Sequence, residues 1–341
     1  MLAVPATPER ILLIRPSALG DVCRTVPVLV SLRRAFPAAR IDWLVQDTFA
    51  DAVREHPDVS GLVEFPRHRL SADLKQVRFG SSLAFLDDLR KRRYDLVIDA
   101  QGLARSGLFT LATRAPIRIG YRNAQEGARL GYNRTVHAPR EMHAVERMLE
   151  LAKLAGVEPV ADMRLHSSAE ARAWAVEHAG AIVLAPTSRW PGKRWPVDRF
   201  ADLARRLGAV PDRPIVLVGS PGEESQVASI VEAVGKPDRL CNLVGQTSIA
   251  QLMAVIEASS LVVANDSAAV HMAVGFDRPM VALYGPTELD RVGPYSRDAD
   301  VIQHEMAGAR TSHKDEAAGR ELMERITVDE VEAACLARLK R

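Results

Sequence analysis

Residues 15 to 25 read RPSALGDVCRT, with one carboxylate, Asp21, set directly after Gly20 between an apolar run at 11–14 and a helix-like stretch at 22–36. In open α/β sheets the loop leading from a strand's carboxyl end into a helix is where ligands bind, and a helix N-terminus favours negative charge. Taken alone, Asp21 is more often a cap that offsets the helix dipole than a reacting group. A second carboxylate occurs in the same setting further on. In VVANDSAAVHMAVG (262–275) a buried strand ends at Asp266, and Ser267, Ala268 and Ala269 open a helix with side chains small enough for an anion to reach free backbone N–H groups. His271 stands four residues after Ser267 and faces the same helix mouth. APTSRWPGKRW (185–195) also follows a strand, and places Thr187 and Ser188 near Lys193. Hydroxyl donors plus a flexible ammonium suit a phosphate. Each segment alone has a structural reading, as a cap, a core histidine or a tryptophan-rich loop. Together, at the ends of strands in one sheet, they favour a diphosphate held by the second half of the chain.

Other chemistries find less support. The glycine spacing of a Walker A loop is absent, and neither PSALGD nor VGSPGEE supplies the spaced glycines of a dinucleotide fingerprint. Nucleoside triphosphatase and dehydrogenase readings are therefore disfavoured. The acidic pairs at 87–88 and in DAD (298–300) read as solvated charge, so no metal and no cofactor is expected. Arginines concentrate in the first half, in FPRHRLSADLKQVRF (65–79) and TRAPIRIGYRNAQEGARLGYNRT (113–135). Each alone reads as solvated loop surface; near one cleft they would suit an anionic ligand or a membrane surface.

The elements that position these groups follow from the pattern of apolar runs. With 341 residues, 47% of them hydrophobic, the chain has material for two cores. Short apolar runs alternate with helix-like segments, the mark of βα units on parallel sheets. Strands are expected at 11–15, 41–45, 62–65, 96–99 and 117–121, with helices at 22–36, 82–92 and 144–155. The pattern then restarts, with strands at 181–186, 214–220, 240–245, 261–266 and 279–285. Two α/β domains of similar kind are implied, 1–170 and 171–341, joined in the polar stretch around 166–177. The last segment, 327–341, has helical spacing and is free to pack on either domain, including back onto the first. A net charge of +2 gives no ground for nucleic-acid binding. Three scattered cysteines suggest neither disulfides nor a zinc site. With no membrane-spanning run and no signal peptide in MLAVPATPER, a cytoplasmic location is expected.

The chain resembles the ADP-heptose:lipopolysaccharide heptosyltransferases, most closely the type I members, over nearly its whole length. The resemblance is carried by SALGDV with the following TVP (17–27), YDLVIDAQGLARSGL (94–108), EGARLGYNRTVHAPREMHAVERMLEL (126–151), GKRWPVDRFADLARRL (192–207), LVGQTSIAQLMAVIEAS (243–259) and VANDSAAVHMA (263–273). It implies an inverting GT-B glycosyltransferase with two Rossmann-like domains facing across a cleft, the first for the acceptor and the second for the donor. On that basis Asp21 is the general base. Thr187, Ser188 and Lys193 form the diphosphate loop, and Asp266, Ser267, Ala268 and His271 the helix-start site for phosphates and heptose. Glu223 or Glu224 accepts the ribose hydroxyls, and Val244, Gly245 and Gln246 border the adenine. The implied donor is ADP-L-glycero-D-manno-heptose. The implied acceptor is Kdo-linked lipid A at the cytoplasmic face of the inner membrane, contacted by Arg67, Arg69, Arg105 and Arg122, these four by charge and placement more than by motif. Two features depart from the family pattern: Ser267-Ala268 stands where a Thr-Gly pair is common, and the basic segment of the first domain is less basic and less aromatic. Another GT-B nucleotide-sugar transferase or epimerase, or a non-catalytic nucleotide-sugar-binding protein, would share the diphosphate site. Base and leaving-group clamp lie on different domains, so closure of the cleft is expected to require both ligands.

Overall fold

The computed structural model describes residues 7–76, 78–211, 213–234, 239–304 and 315–340. The start of MLAVPATPER lies outside them. The chain divides into two compact units, Met1–Leu165 and His166–Arg341.

The first unit runs β1 (Arg10–Ile14), α1 (Leu19–Ala35), β2 (Arg40–Gln46), β3 (Gly61–Phe65), α2 (Arg67–Lys75), α3 (Gly80–Lys91), β4 (Leu96–Asp99), α4 (Ala104–Ala112), β5 (Ile117–Tyr121), β6 (Arg134–Val136) and α5 (Ala144–Leu154). The second runs α6 (Ala169–Ala175), β7 (Ile182–Ala185), α7 (Val197–Leu207), β8 (Ile215–Leu217), α8 (Ala228–Val234), β9 (Leu240–Asn242), α9 (Ile249–Ala258), β10 (Leu261–Asn265), α10 (Ala268–Gly275), β11 (Met280–Tyr284), α11 (Leu289–Val292), β12 (Val301–Gln303), α12 (Glu316–Arg325) and α13 (Val328–Leu339). The central strands are continuous apolar runs because helices cover both faces of each sheet: Ile11 to Ile14 and Leu261 to Asn265 are buried without a break.

The two sheets share one winding order. The first is β3-β2-β1-β4-β5-β6 and the second β12-β11-β10-β7-β8-β9, with parallel pairing at the register of Ile11 to Ile41 and Leu96, and of Val262 to Val183 and Met280. Renumbered within its own unit, each sheet has the doubly wound Rossmann order. Its switch point, where successive connections leave in opposite directions, lies between β1 and β4 in the first unit and between β7 and β10 in the second.

Local departures from the sequence reading have simple causes. The three-residue edge strands β6 and β12 are half-buried and too short for an alternation to show. The arginine-rich run at 65–79 contains a helix, α2, rather than only loop. Helix α1 begins three residues before the expected start, so Asp21 stands within its first turn and accepts from the Ala18 N–H at 3.3 Å. The C-terminal helix is built into the second unit's core, where Val331 and Cys335 are fully buried with Ile326 and Met323.

Candidate active site

Asp21 sits just beyond the carboxyl end of β1, at the first unit's switch point. Its neighbours are cations: Arg15 Nη2 lies 2.7 Å from Oδ2, and Arg24 Nη2 contacts Oδ1. The Asp21–Arg24 pair follows from i, i+3 spacing on α1. Arg15 is the residue after β1, and its other Nη donates to the carbonyl of Ala100, just past β4. Burial alone would raise the carboxyl's affinity for a proton, but the two guanidiniums overcome it and hold Asp21 well below the usual carboxylate range. Cys23 beside it is buried and its thiol is pushed up to about 12. Burial also pushes the Tyr121 phenol up to about 12, and the Arg147 guanidinium lies 5.0 Å from its ring centroid.

The second unit gathers its site from four strand ends. Asn265, fully buried at the end of β10, donates from Nδ2 to the Pro186 carbonyl at 2.6 Å and accepts the Trp195 N–H on Oδ1 at 3.1 Å. That amide ties the segment after β7 to β10 and carries Lys193 to the neighbouring carboxylate, where its Nζ lies 2.6 Å from Asp266 Oδ2. Thr287, after β11, donates to the same oxygen at 2.5 Å. Thr187 and Ser188 are buried at the end of β7. Gly219, after β8, leaves no room for a side chain there, since a Cβ would stand 2.7 Å from Thr187 Oγ1 and 3.1 Å from Val244. Ser267 caps α10 with extended backbone and no capping side-chain bond, Ala268 opens the helix, and His271 is buried one turn in.

Glu223 and Glu224 separate in role. Glu223 accepts the Ser220 N–H at 2.9 Å and Glu224 the Gly222 N–H at 3.1 Å. Glu224 Oε1 also lies 2.2 Å from where a Cβ on Gly245 would stand, and Gly245 has φ +74. The end of β9 and the loop after β8 therefore meet at Glu224 and Gly245. Gln246 is exposed and donates to the Asn242 carbonyl at 2.8 Å.

Of the four first-unit arginines, the structure brings two together. Arg105 lies 5.2 Å over the Phe65 ring, and burial together with the like charge of Arg67 lowers its pKa. Arg69 is exposed on α2, and Arg122 is exposed just after β5. The acidic runs are structural. Asp87 and Asp88 pair with Lys91 and Arg92 along α3, and Asp300 pairs with Arg297 and Arg338. Cys23, Cys241 and Cys335 are free thiols. Sequence reasoning missed Arg15, Arg24, Asn265 and Thr287; Arg24 alone had a local signal, its helical spacing from Asp21.

The model of glycosyltransferase family 9 (heptosyltransferase) matches residues 82–320. The chain is 30% identical to lipopolysaccharide heptosyltransferase 1 of Salmonella typhimurium over 306 residues, 85% of this chain and 92% of that protein. Against the Pseudomonas aeruginosa enzyme of the same name it is 30% identical, covering 84% of this chain and 82% of the other. Among solved structures, E. coli ADP-heptose lps heptosyltransferase II superposes with a TM-score of 0.80 at 25% identity, covering 97% of this chain and 98% of the other. E. coli heptosyltransferase WaaC with ADP-2-deoxy-2-fluoro heptose gives 0.73 at 26% identity, covering 95% and 98%. The fold is the GT-B fold of two Rossmann-like domains, and the chain belongs to glycosyltransferase family 9, the heptosyltransferases.

Proposed function

We propose that the protein transfers heptose from ADP-L-glycero-D-manno-heptose to the Kdo-lipid A inner core of lipopolysaccharide, with inversion at the anomeric carbon and without a metal. The observation that carries this reading is the division of charge between the two switch points: a carboxylate, Asp21, in one unit, and an ammonium, Lys193, positioned by Asp266 and Thr287 in the other. An inverting displacement needs both. The acceptor hydroxyl gives its proton to Asp21 as its oxygen bonds to the anomeric carbon, and the bond from that carbon to the diphosphate oxygen breaks, releasing ADP. Lys193 and the first N–H groups of α10 take up the charge that develops on the diphosphate. Thr187 and Ser188 supply further donors, His271 lies within the same helix start, and Glu223 or Glu224 is proposed to accept the ribose hydroxyls beside Val244, Gly245 and Gln246.

The acceptor reading draws support from the first unit's surface. Arg67, Arg69, Arg105 and Arg122 are exposed there, and Phe79, Leu83, Leu108 and Leu111 are exposed large apolar side chains. Phe65, Phe85, Leu86, Leu108 and Phe109 also line a pocket of about 350 Å³ with Arg105 among its walls. Such a mixture suits a peripheral stay at an anionic membrane on its cytoplasmic face; no described helix is long and apolar enough to cross a membrane. The deciding experiment incubates the protein with ADP-heptose, with and without Kdo-lipid A, in excess EDTA. A new glycolipid with inverted anomeric configuration by NMR is expected. ADP release without acceptor dependence, or strict dependence on Mg²⁺ or Mn²⁺, would overturn the reading.

A further inference from the structure

The tight hold on Asp21 conflicts with the work proposed for it. A carboxylate that takes a proton from a sugar hydroxyl is weakened by every cation bound to its lone pairs. Here both oxygens are engaged, Oδ2 by Arg15 at 2.7 Å and Oδ1 by Arg24. Arginine does not lose its proton, so the base can be freed only if the guanidiniums find another anion. Their placement allows that exchange. Arg15 is anchored through Nη1 to the Ala100 carbonyl, so it stays at the switch point between β1 and β4 whatever happens to its partner. Its Nε is buried and has no hydrogen-bond partner among the described residues. The side chains of Arg15, Arg24 and Asp21 are 13%, 9% and 27% exposed, so the cluster keeps an edge on solvent.

We infer that Arg15 and Arg24 form a subsite for a carboxylate on the acceptor, and that this carboxylate draws them off Asp21 and so switches the base on. The inference rests on the reading of Asp21 as the general base. The other titratable groups facing the cluster do not compete for the exchange. The Cys23 thiol and the Tyr121 phenol, both pushed up to about 12 by burial, stay neutral, and Arg147 on α5 adds positive charge above the Tyr121 ring. A carboxylate entering here meets the Arg15, Arg24 and Arg147 guanidiniums against two carboxylates, Asp21 and the buried Asp99, and the oxygens of Asp99 are already taken by the Tyr132 hydroxyl and the Gln101 and Gly102 N–H groups, so it is attracted. The base is thus weak until an acidic-sugar acceptor arrives, which selects acceptors by charge at a distance from the bond being made.

The test compares an acceptor bearing its sugar carboxylate with the same glycolipid as a neutral methyl amide. On the wild-type protein the amide is expected to lose about 10- to 100-fold in kcat/KM, the scale of a charge-assisted hydrogen-bond pair. Arg15→Gln and Arg24→Gln should lose much of that discrimination. They should also gain an acidic limb in the kcat/KM profile near the ordinary carboxylate range of about pH 4, where the wild-type profile is flat. Equal use of the two acceptors by the wild type, with Asp21→Asn inactive, would overturn the arginine subsite alone. Transfer by Asp21→Asn at the wild-type rate would overturn the base reading beneath it. An unmoved pH profile in both arginine variants would overturn the switch. The acceptor comparison on the wild type needs no variant to fold, and Arg15→Lys, which keeps the charge but not the fork, should retain discrimination only in part.

Discussion

On the proposed function Asp21 has two duties, and a single substitution separates them. Asp21→Asn keeps the polar group that accepts the Ala18 N–H at the start of α1, but removes the proton acceptor. Binding of ADP-heptose should persist while transfer falls by about 10² to 10⁴, the usual contribution of a general base, as measured by steady-state rates beside titration of the donor. On the proposed function, Lys193 acts on both ground and transition states, because its charge would meet the diphosphate throughout. Lys193→Ala should therefore weaken ADP affinity and transfer together, and calorimetry with ADP alone reads the first effect. The same substitution leaves Asp266, only 10% exposed, with Thr287 as its remaining side-chain donor among the described residues. A fall in thermal stability should accompany it.

At the scale of elements, the position of Lys193 depends on how closely two backbones approach. The turn Pro191–Lys193 packs on α12, and a Cβ on Gly319 would stand 2.5 Å from the Gly192 carbonyl oxygen and 2.8 Å from its Cα. That contact is backbone against backbone, so neither side can yield by turning a side chain. Gly319→Ala is expected to push the turn off α12, lower the melting temperature by an overpacking cost of about 1–3 kcal/mol, and raise the Kd for ADP through Lys193. Gly222→Ala, where φ is +87 but open space surrounds the added methyl, should cost only the local backbone strain. A calorimetric comparison of the two variants separates close packing from conformational strain. Asn265 works on the same element pair through hydrogen bonds. Asn265→Ala would strand the Pro186 carbonyl and the Trp195 N–H in a fully buried place, at about 1–3 kcal/mol for each.

For the whole molecule, each unit has a core of its own. The first packs Leu12, Ile14, Leu44, Val97 and Phe109 together, and the second closes around Ile182, Leu184, Phe200, Val263 and Leu283, with α13 contributing Val331 and Cys335. Residues 166–341 expressed alone should therefore fold and bind ADP, read by calorimetry, yet transfer no heptose, because Asp21 belongs to the other unit. A folded fragment with no affinity for ADP would contradict the assignment of the donor to that unit.

The sequence by itself determined a good deal. Continuous apolar runs between helix-like segments fixed two parallel α/β units, because a strand covered on both faces must be apolar throughout. The groups on segments that leave a strand, Asp21, Thr187, Ser188, Lys193 and Asp266, could be placed at the carboxyl edges of the sheets for a related reason: a chain leaving a parallel strand has only one end of the sheet to leave from. What the sequence could not give was which strands are neighbours. Only the tertiary winding puts β10 beside β7, and with it Asn265 against the Pro186 carbonyl, Lys193 on Asp266, and Thr287 on the same oxygen from 21 residues away. Likewise β1 beside β4 lets Arg15 reach both Ala100, 85 residues on, and Asp21. The Arg15–Ala100 contact has no sequence period to announce it, and the hold of both arginines on Asp21 depends on how α1 starts after β1, so the state of that carboxylate became visible only once the chain was folded.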